Sequence, residues 1–219
     1  MELKGKKVVF IGDSITDGHG TSAPEYTYWN QFAAATGARV YPNGIGGSRI
    51  APQRFPGTER PWEERYFASR LDELEAAADI VVIFGGTNDF GTGDAALGRL
   101  SDRTEDTFYG ACHCLVEKLY EKYPQALVVF MTPLHRLSED EEDYNELGVR
   151  RVGPLSVYVE ALRQVARYYG LPVVDLFAHC PIQPKIEAQR LRYMPDGLHP
   201  NDAGAGLIAR QLQRVLEAL

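Results

Sequence analysis

Three short runs, Val8-Val9-Phe10-Ile11, Ile80-Val81-Val82-Ile83-Phe84 and Leu127-Val128-Val129-Phe130, are apolar at every position. A strand with one face in water alternates apolar and polar residues, whereas a strand covered on both faces does not. The runs are too short for core helices and far too short to span a membrane. Each reads as a strand of a sheet held between two other layers, the first extending over Lys7–Ile11. Arg39–Tyr41 and Pro172–Leu176 are two further strand candidates.

Between these runs, apolar residues recur at spacings of three and four. Phe108, Ala111, Cys112, Leu115, Val116 and Leu119 form one stripe, and Leu155, Val159, Leu162, Val165 and Ala166 a second. Ile208, Leu212, Val215, Leu216 and Leu219 form a third. This is the period of helices with one apolar face. The pattern also predicts helices over Tyr28–Ala35, ended near Gly37, and over Trp62–Ala78. Asn201 or Asp202 can cap the last helix. Strands alternating with helices imply βαβ units with right-handed crossovers. The expected fold class is α/β, a three-layer α/β/α sandwich around a flavodoxin-like parallel sheet of about five strands. No repeat or linker divides the chain, so residues 1–219 read as a single domain.

Two stretches break the pattern. Ser48–Pro61 holds Pro52, Pro56 and Pro61 among Arg49, Arg54 and Arg60. Pro133–Pro154 includes the acidic run Glu139-Asp140-Glu141-Glu142-Asp143, which reads as a solvated loop. Both follow strands, and therefore fall at the carboxyl edge of the sheet, where such folds bind ligands.

A net charge of -7 argues against a nucleic-acid partner, which selects for a basic face. Lysines near the amino terminus precede an apolar run of only four residues. That is shorter than a secretory signal or membrane span requires, so the expectation is a cytoplasmic protein with no membrane partner. Three cysteines, an odd number, argue against a disulfide framework. Cys112-His113-Cys114 has the composition of a metal site, but residues two apart on a helix point to nearly opposite sides. It reads as ordinary helix, and no metal is expected.

Gly12-Asp13-Ser14-Ile15-Thr16 directly follows the first apolar run, so Ser14 stands where a buried strand ends and the chain turns. Asp196-Gly197-Leu198-His199 supplies a carboxylate one turn before an imidazole. A serine hydroxyl is a poor nucleophile until a base takes its proton, and the base works best when a carboxylate fixes its tautomer. Ser14, His199 and Asp196 have the chemistry for these roles. Taken alone, Asp196–His199 is better explained by an Asp-Gly turn before a capped helix. Acyl transfer also needs donors placed for an oxyanion. Gly85-Gly86-Thr87-Asn88-Asp89 ends the third strand and Asn43-Gly44-Ile45-Gly46-Gly47-Ser48 the second. The Asn88 amide and backbone N–H groups of the glycine-rich turn are candidates, although both compositions also suit plain turns.

Together these segments resemble the GDSL family of esterases and acylhydrolases, also called SGNH hydrolases. Gly12-Asp13-Ser14 is similar to the first block, Asn43–Ser48 to the second, Gly86–Asp89 to the third and Asp196–His199 to the last. The resemblance spans residue 7 to about residue 205. It implies Ser14 as nucleophile with Asp196 and His199, and an oxyanion hole from the Ser14 N–H, Gly47 and Asn88. Position 15 is Ile rather than Leu. Gly46 replaces the small polar residue often found before the oxyanion glycine, so Gly46 remains an alternative to Gly47.

The resemblance implies no cofactor and a small-molecule ester as partner. Asp13, Arg49, His135 and Arg136 are candidate substrate-binding residues, although Asp13 also suits a turn-supporting role, as does Asp89. Asp175 reads as a loop cap. Phe55, Trp62 and Tyr66 are candidates to flank a ring. His19 lies near Ser14 without an evident acidic partner. The mixed polar and aromatic loops favour short acyl groups, acetyl above all, on a carbohydrate. Lysophospholipase or thioesterase activity is the alternative within the family. A flavodoxin-like module, with Gly12–Gly18 around a flavin or nucleotide phosphate, is the alternative outside it, and leaves Asn88 and Asp196–His199 unexplained.

Overall fold

The computed structural model describes residues 1–55, 65–141, 144, 148–149 and 152–219. Five parallel strands form one sheet: β1 (Lys7–Gly12), β2 (Arg39–Gly44), β3 (Ile80–Phe84), β4 (Leu127–Met131) and β5 (Val173–Val174), in the order β2-β1-β3-β4-β5. The doubly apolar runs explain themselves once the two faces are separated. Val9, Ile11, Val81, Ile83, Val128 and Phe130 point to one side. There they pack on α4 (Phe108–Lys122) and α5 (Leu155–Tyr169). Val8, Phe10, Val82, Phe84, Val129 and Met131 point to the other. That side is covered by α2 (Tyr28–Thr36) and α6 (Asp202–Ala218).

The predicted caps are present. The Asn201 side chain accepts from the N–H groups of Ala203 and Gly204, both at 3.1 Å, and starts α6. Gly37, in the left-handed region at φ 73°, ends α2. β2 runs three residues beyond its prediction and includes Pro42. It is an edge strand paired only with β1, where a missing N–H is tolerated. β5 is shorter than predicted, because Asp175 turns out of the sheet. Its carboxylate accepts from Ala178 N–H at 3.1 Å and pairs with Arg163 at 2.8 Å.

The helix predicted over Trp62–Ala78 is not formed among its described residues, 65–78. Trp62 lies outside the described residues, and Phe67–Glu73 makes 3₁₀ turns interrupted at Arg70 (φ -119°, ψ 17°). Phe67, Arg70, Leu71 and Leu74 are buried, a spacing that fits 3₁₀ turns as well as a helix. Of the acidic run, Asp140 and Glu141 are exposed but Glu139 is buried. Its carboxylate takes the His135 ring at 2.7 Å, so this residue does not belong to a solvated loop. Glu142 and Asp143 lie outside the described residues.

Among the described residues, no helix is long and apolar enough to cross a membrane. Cys112, Cys114 and Cys180 are free thiols. His113 is bonded to the Tyr169 hydroxyl at 2.9 Å and the Leu100 carbonyl at 3.0 Å.

The register places the site. Gly12 of β1 sits level with Gly44 of β2 and Phe84 of β3, so three chain segments leave the sheet side by side. β1 lies between β2 and β3, and this is the switch point at which open α/β sheets form a crevice.

Candidate active site

Ser14 opens α1 (Ser14–Asp17), a single turn with a specific start and stop. The Asp13 side chain accepts from the Ile15 N–H at 3.0 Å. Gly18, left-handed at φ 100°, ends the turn. Ser14 is thereby held at the sheet edge with its hydroxyl on a cavity of about 570 Å³.

From the other end of the chain, His199 meets it: Nε2 lies 3.0 Å from Ser14 Oγ. His199 Nδ1 lies 2.7 Å from Asp196 Oδ2, while Asp196 Oδ1 accepts the N–H of His199 at 2.7 Å and that of Leu198 at 2.9 Å. One carboxylate thus fixes both the turn and the ring it carries. Burial pushes the Asp196 carboxyl up, but the backbone donors of His199 and Leu198 and the His199 ring outweigh it and hold the group below its ordinary value. With Nδ1 facing a carboxylate, Nε2 is left to accept a proton from Ser14.

Asn88 lies in α3 (Thr87–Gly91), immediately beyond β3. Its side-chain N–H donates to the Ser48 carbonyl at 3.0 Å, and the residue lines the cavity. Gly46 and Gly47 line it too. Gly47 has φ 77°, a conformation that presents backbone amides in a tight turn at no steric cost. Asp89 ties this turn to α3 by accepting the N–H groups of Ile50 at 3.1 Å and Ala51 at 2.9 Å. Burial lifts the Asp89 carboxyl to about 6, against the pull of those two donors.

Of the four candidate substrate-binding residues, only Arg136 lines the cavity. Asp13 is a correction: it is buried beneath the turn as a cap, and burial raises its carboxyl to about 7. Arg49 is a second, because its buried guanidinium bonds the Gly47 carbonyl and the Thr92 hydroxyl, both at 3.3 Å, and so braces the glycine turn. His135 is a third, being paired with Glu139 and stacked on Phe177 with ring centroids 3.9 Å apart. Phe55 is exposed and Tyr66 bonds Glu105 at 2.8 Å, and neither lines the cavity.

Four cavity residues, Asp17, His19, Gly91 and Thr92, were not predicted there. His19 does have an acidic partner: its Nε2 is 3.4 Å from Asp17 Oδ2. The signal was the Asp-x-His spacing directly after Ser14. Beneath the site lies Arg70, fully buried, which donates Nη2 to the Gly12 carbonyl. Burial lowers its guanidinium to about 10. An isolated arginine in an apolar spacing carried no sequence signal for this role.

Among the described residues, no group of three or more His, Cys, Asp or Glu is arranged to hold a metal ion.

A five-stranded parallel sheet in this order, with a serine, an imidazole and a carboxylate linked at its carboxyl edge, has the architecture of GDSL/SGNH hydrolases. The profile of the family described as GDSL-like Lipase/Acylhydrolase matches residues 10–207, and the chain belongs to that family. One solved crystal structure is 34% identical, covering 100% of this chain and 99% of its own, with a TM-score of 0.84. A protein from Lactobacillus plantarum is 32% identical, with 99% and 98% coverage and a TM-score of 0.81. The lipase/acylhydrolase from Enterococcus faecalis shares the fold at 24% identity, 97% and 96% coverage and a TM-score of 0.61. No curated protein matches the sequence. Family membership supports hydrolysis of ester bonds.

Proposed function

We infer that the protein is a serine esterase that cleaves short acyl esters, acetyl above all, from carbohydrate alcohols. The observation that carries the serine mechanism is the continuous relay from Asp196 through His199 to Ser14, at 2.7 and 3.0 Å. Ser14 Oγ attacks the acyl carbon as His199 Nε2 takes its proton. Asp196 stabilises the imidazolium that results. The oxyanion is met by the N–H groups of Ser14 and Gly47 and by the Asn88 amide. As the intermediate collapses, His199 returns the proton to the departing alcohol. Water, deprotonated by the same ring, then releases the acid from Ser14. No step calls on a metal or an organic cofactor, and EDTA should leave the rate unchanged.

The test is Ser14→Ala assayed with p-nitrophenyl acetate. The substitution removes one hydroxyl from the surface of the cavity, so the fold should persist while turnover disappears. A serine-directed phosphonate should label Ser14 and no other serine. Activity retained above a trace in the folded variant refutes the mechanism.

The short acyl preference is supported by the lining. Ile45 and Leu198 are its only large apolar residues among those described, and the rest are glycines and polar or charged residues. A long acyl chain gains its affinity from burying each methylene, and two apolar side chains leave most of such a chain without that contact.

A further inference from the structure

We propose that Asp17 and His19 form the subsite for the leaving alcohol, and that this subsite takes a polyhydroxylated alcohol such as a sugar. The inference rests on the serine-esterase reading above and concerns the half of the substrate that reading leaves open. The departing oxygen must come within hydrogen-bond reach of His199 Nε2, because that atom returns the proton. The ring beside His199 is His19, with centroids 5.5 Å apart at an interplanar angle of 64°. His19 and Asp17 line the same cavity as Ser14. They are therefore placed to meet the groups of the alcohol just beyond its reacting oxygen.

Both side chains are about half exposed, at 53% and 45%, and pair with each other at 3.4 Å. The Asp17 carboxylate has acceptor capacity beyond one imidazole contact, and a ring hydroxyl is a matching donor. The second nitrogen of His19 can donate to or accept from a neighbouring hydroxyl. An alkyl alcohol would strip water from both groups and return no hydrogen bond. A phosphorylated alcohol would bring its charge against the Asp17 carboxylate, and the two arginines on this cavity are already engaged, Arg65 with Glu73 and Arg136 with the Thr87 carbonyl and the Ser138 hydroxyl. Neutral polyols are the class that fits.

The pair is fixed to the catalytic ring. Gly20, at φ 90°, lies so close to the His199 segment that a Cβ there would sit 2.9 Å from His199 Cβ and 2.6 Å from the Pro200 carbonyl. The His19 N–H also donates to the Ser14 carbonyl at 2.9 Å. The segment that carries the subsite is thus anchored to both reacting residues.

The experiment compares three acetyl esters, glucose 6-acetate, octyl acetate and p-nitrophenyl acetate, in the wild-type protein and in the Asp17→Asn/His19→Gln double variant. The acyl group is constant, so differences report the alcohol. The wild type should favour glucose 6-acetate over octyl acetate. The double variant should lower kcat/KM for glucose 6-acetate relative to p-nitrophenyl acetate by about tenfold, mainly through KM, as expected when a charge-assisted hydrogen bond is lost. A ratio that moves less than twofold, or a wild-type preference for octyl acetate, overturns the subsite. If the double variant does not fold, Asp17→Asn alone, at a half-exposed position, removes the charge-assisted bond and is read in the same way. Failure of the esterase reading looks different: the wild type then cleaves none of the three esters, or cleaves them without Ser14.

Discussion

The Asn88 side-chain amide donates to the backbone carbonyl of Ser48 at 3.0 Å, across the gap between the segments that follow β3 and β2. One hydrogen of the amide is used to hold the glycine turn, and an amide nitrogen has a second to offer. The bond sets the direction of that second hydrogen. Asn88 and Gly47 are thereby joined into one unit before any substrate arrives, which is what preorganised oxyanion stabilisation requires.

Asn88→Ala should lower kcat by about 10²–10³-fold, the usual cost of one lost oxyanion donor. KM should change little. The Ser48 carbonyl also loses its partner, so a modest fall in Tm should accompany the kinetic loss. Steady-state kinetics with p-nitrophenyl acetate decide it. An effect confined to KM would make Asn88 a substrate-binding group instead.

Asp196 serves two atoms with two purposes, and two substitutions separate them. Asp196→Asn keeps an acceptor for the N–H groups of Leu198 and His199, but its amide can no longer stabilise an imidazolium or fix the tautomer. It should cost about two to four orders of magnitude in kcat with little change in stability. Asp196→Ala removes the turn as well, and should lower both kcat and Tm. Equal melting temperatures for the two variants would show that Oδ1 does not hold the turn.

The core of the sheet was legible because Val8–Ile11, Ile80–Phe84 and Leu127–Phe130 carry no polar residue for either face, which admits one arrangement. The stripes at Phe108–Leu119 and Leu155–Ala166 were equally direct. Ser14, Asn88 and His199 stood at strand ends or after a turn, where turn chemistry alone can explain a segment, and only their combination pointed to one site. What escaped depends on contacts that spacing does not encode. Asp17 and His19 meet only because Gly18 bends the chain left-handed between them. Arg49 read as a candidate substrate-binding residue and Arg70 as one position of a predicted helix, yet both are buried as braces for backbone carbonyls at the sheet edge. Glu139 was one acid in an acidic run until His135 gave it a partner.

Two buried acids below the site give stability a specific pH dependence. Burial holds the Asp13 carboxyl at about 7 and Asp89 at about 6 in the folded protein, against about 4 for an unfolded aspartate. Between about pH 4 and pH 7 the folded state therefore binds more protons than the unfolded state, and its stability falls as pH rises. Asp196 has the opposite sign, but its contribution is lost only as pH falls through a value below the ordinary carboxylate range. Urea midpoints should be higher at pH 5 than at pH 8. Asp13→Asn keeps an oxygen for the Ile15 N–H and removes one of the two titrating groups, so it should shrink the difference. An unchanged difference would show that Asp13 is not the group responsible.

Acyl chain length is the last expectation, and Arg136 is its structural reason. This buried guanidinium lines the cavity and is held from three directions. Its Nη1 donates to the Thr87 carbonyl at 3.2 Å, its Nε to the Ser138 hydroxyl at 3.0 Å, and its Cζ lies 5.4 Å from the centre of the Phe90 ring. It is packed so closely on Gly91 that a Cβ there would sit 2.7 Å from Nη1. A side chain so restrained closes this part of the wall with a polar, charged surface. Extending acetyl to decanoyl adds eight methylenes, worth about 6 kcal/mol if all were buried against apolar surface. Against this wall, with only Ile45 and Leu198 as large apolar residues among those described, most of that gain is not available. The kcat/KM of p-nitrophenyl esters should therefore be greatest for acetyl and should not rise toward decanoyl. A clear rise with chain length would mean that the tail finds apolar surface beyond this cavity, and would favour a lysophospholipase or thioesterase activity over deacetylation.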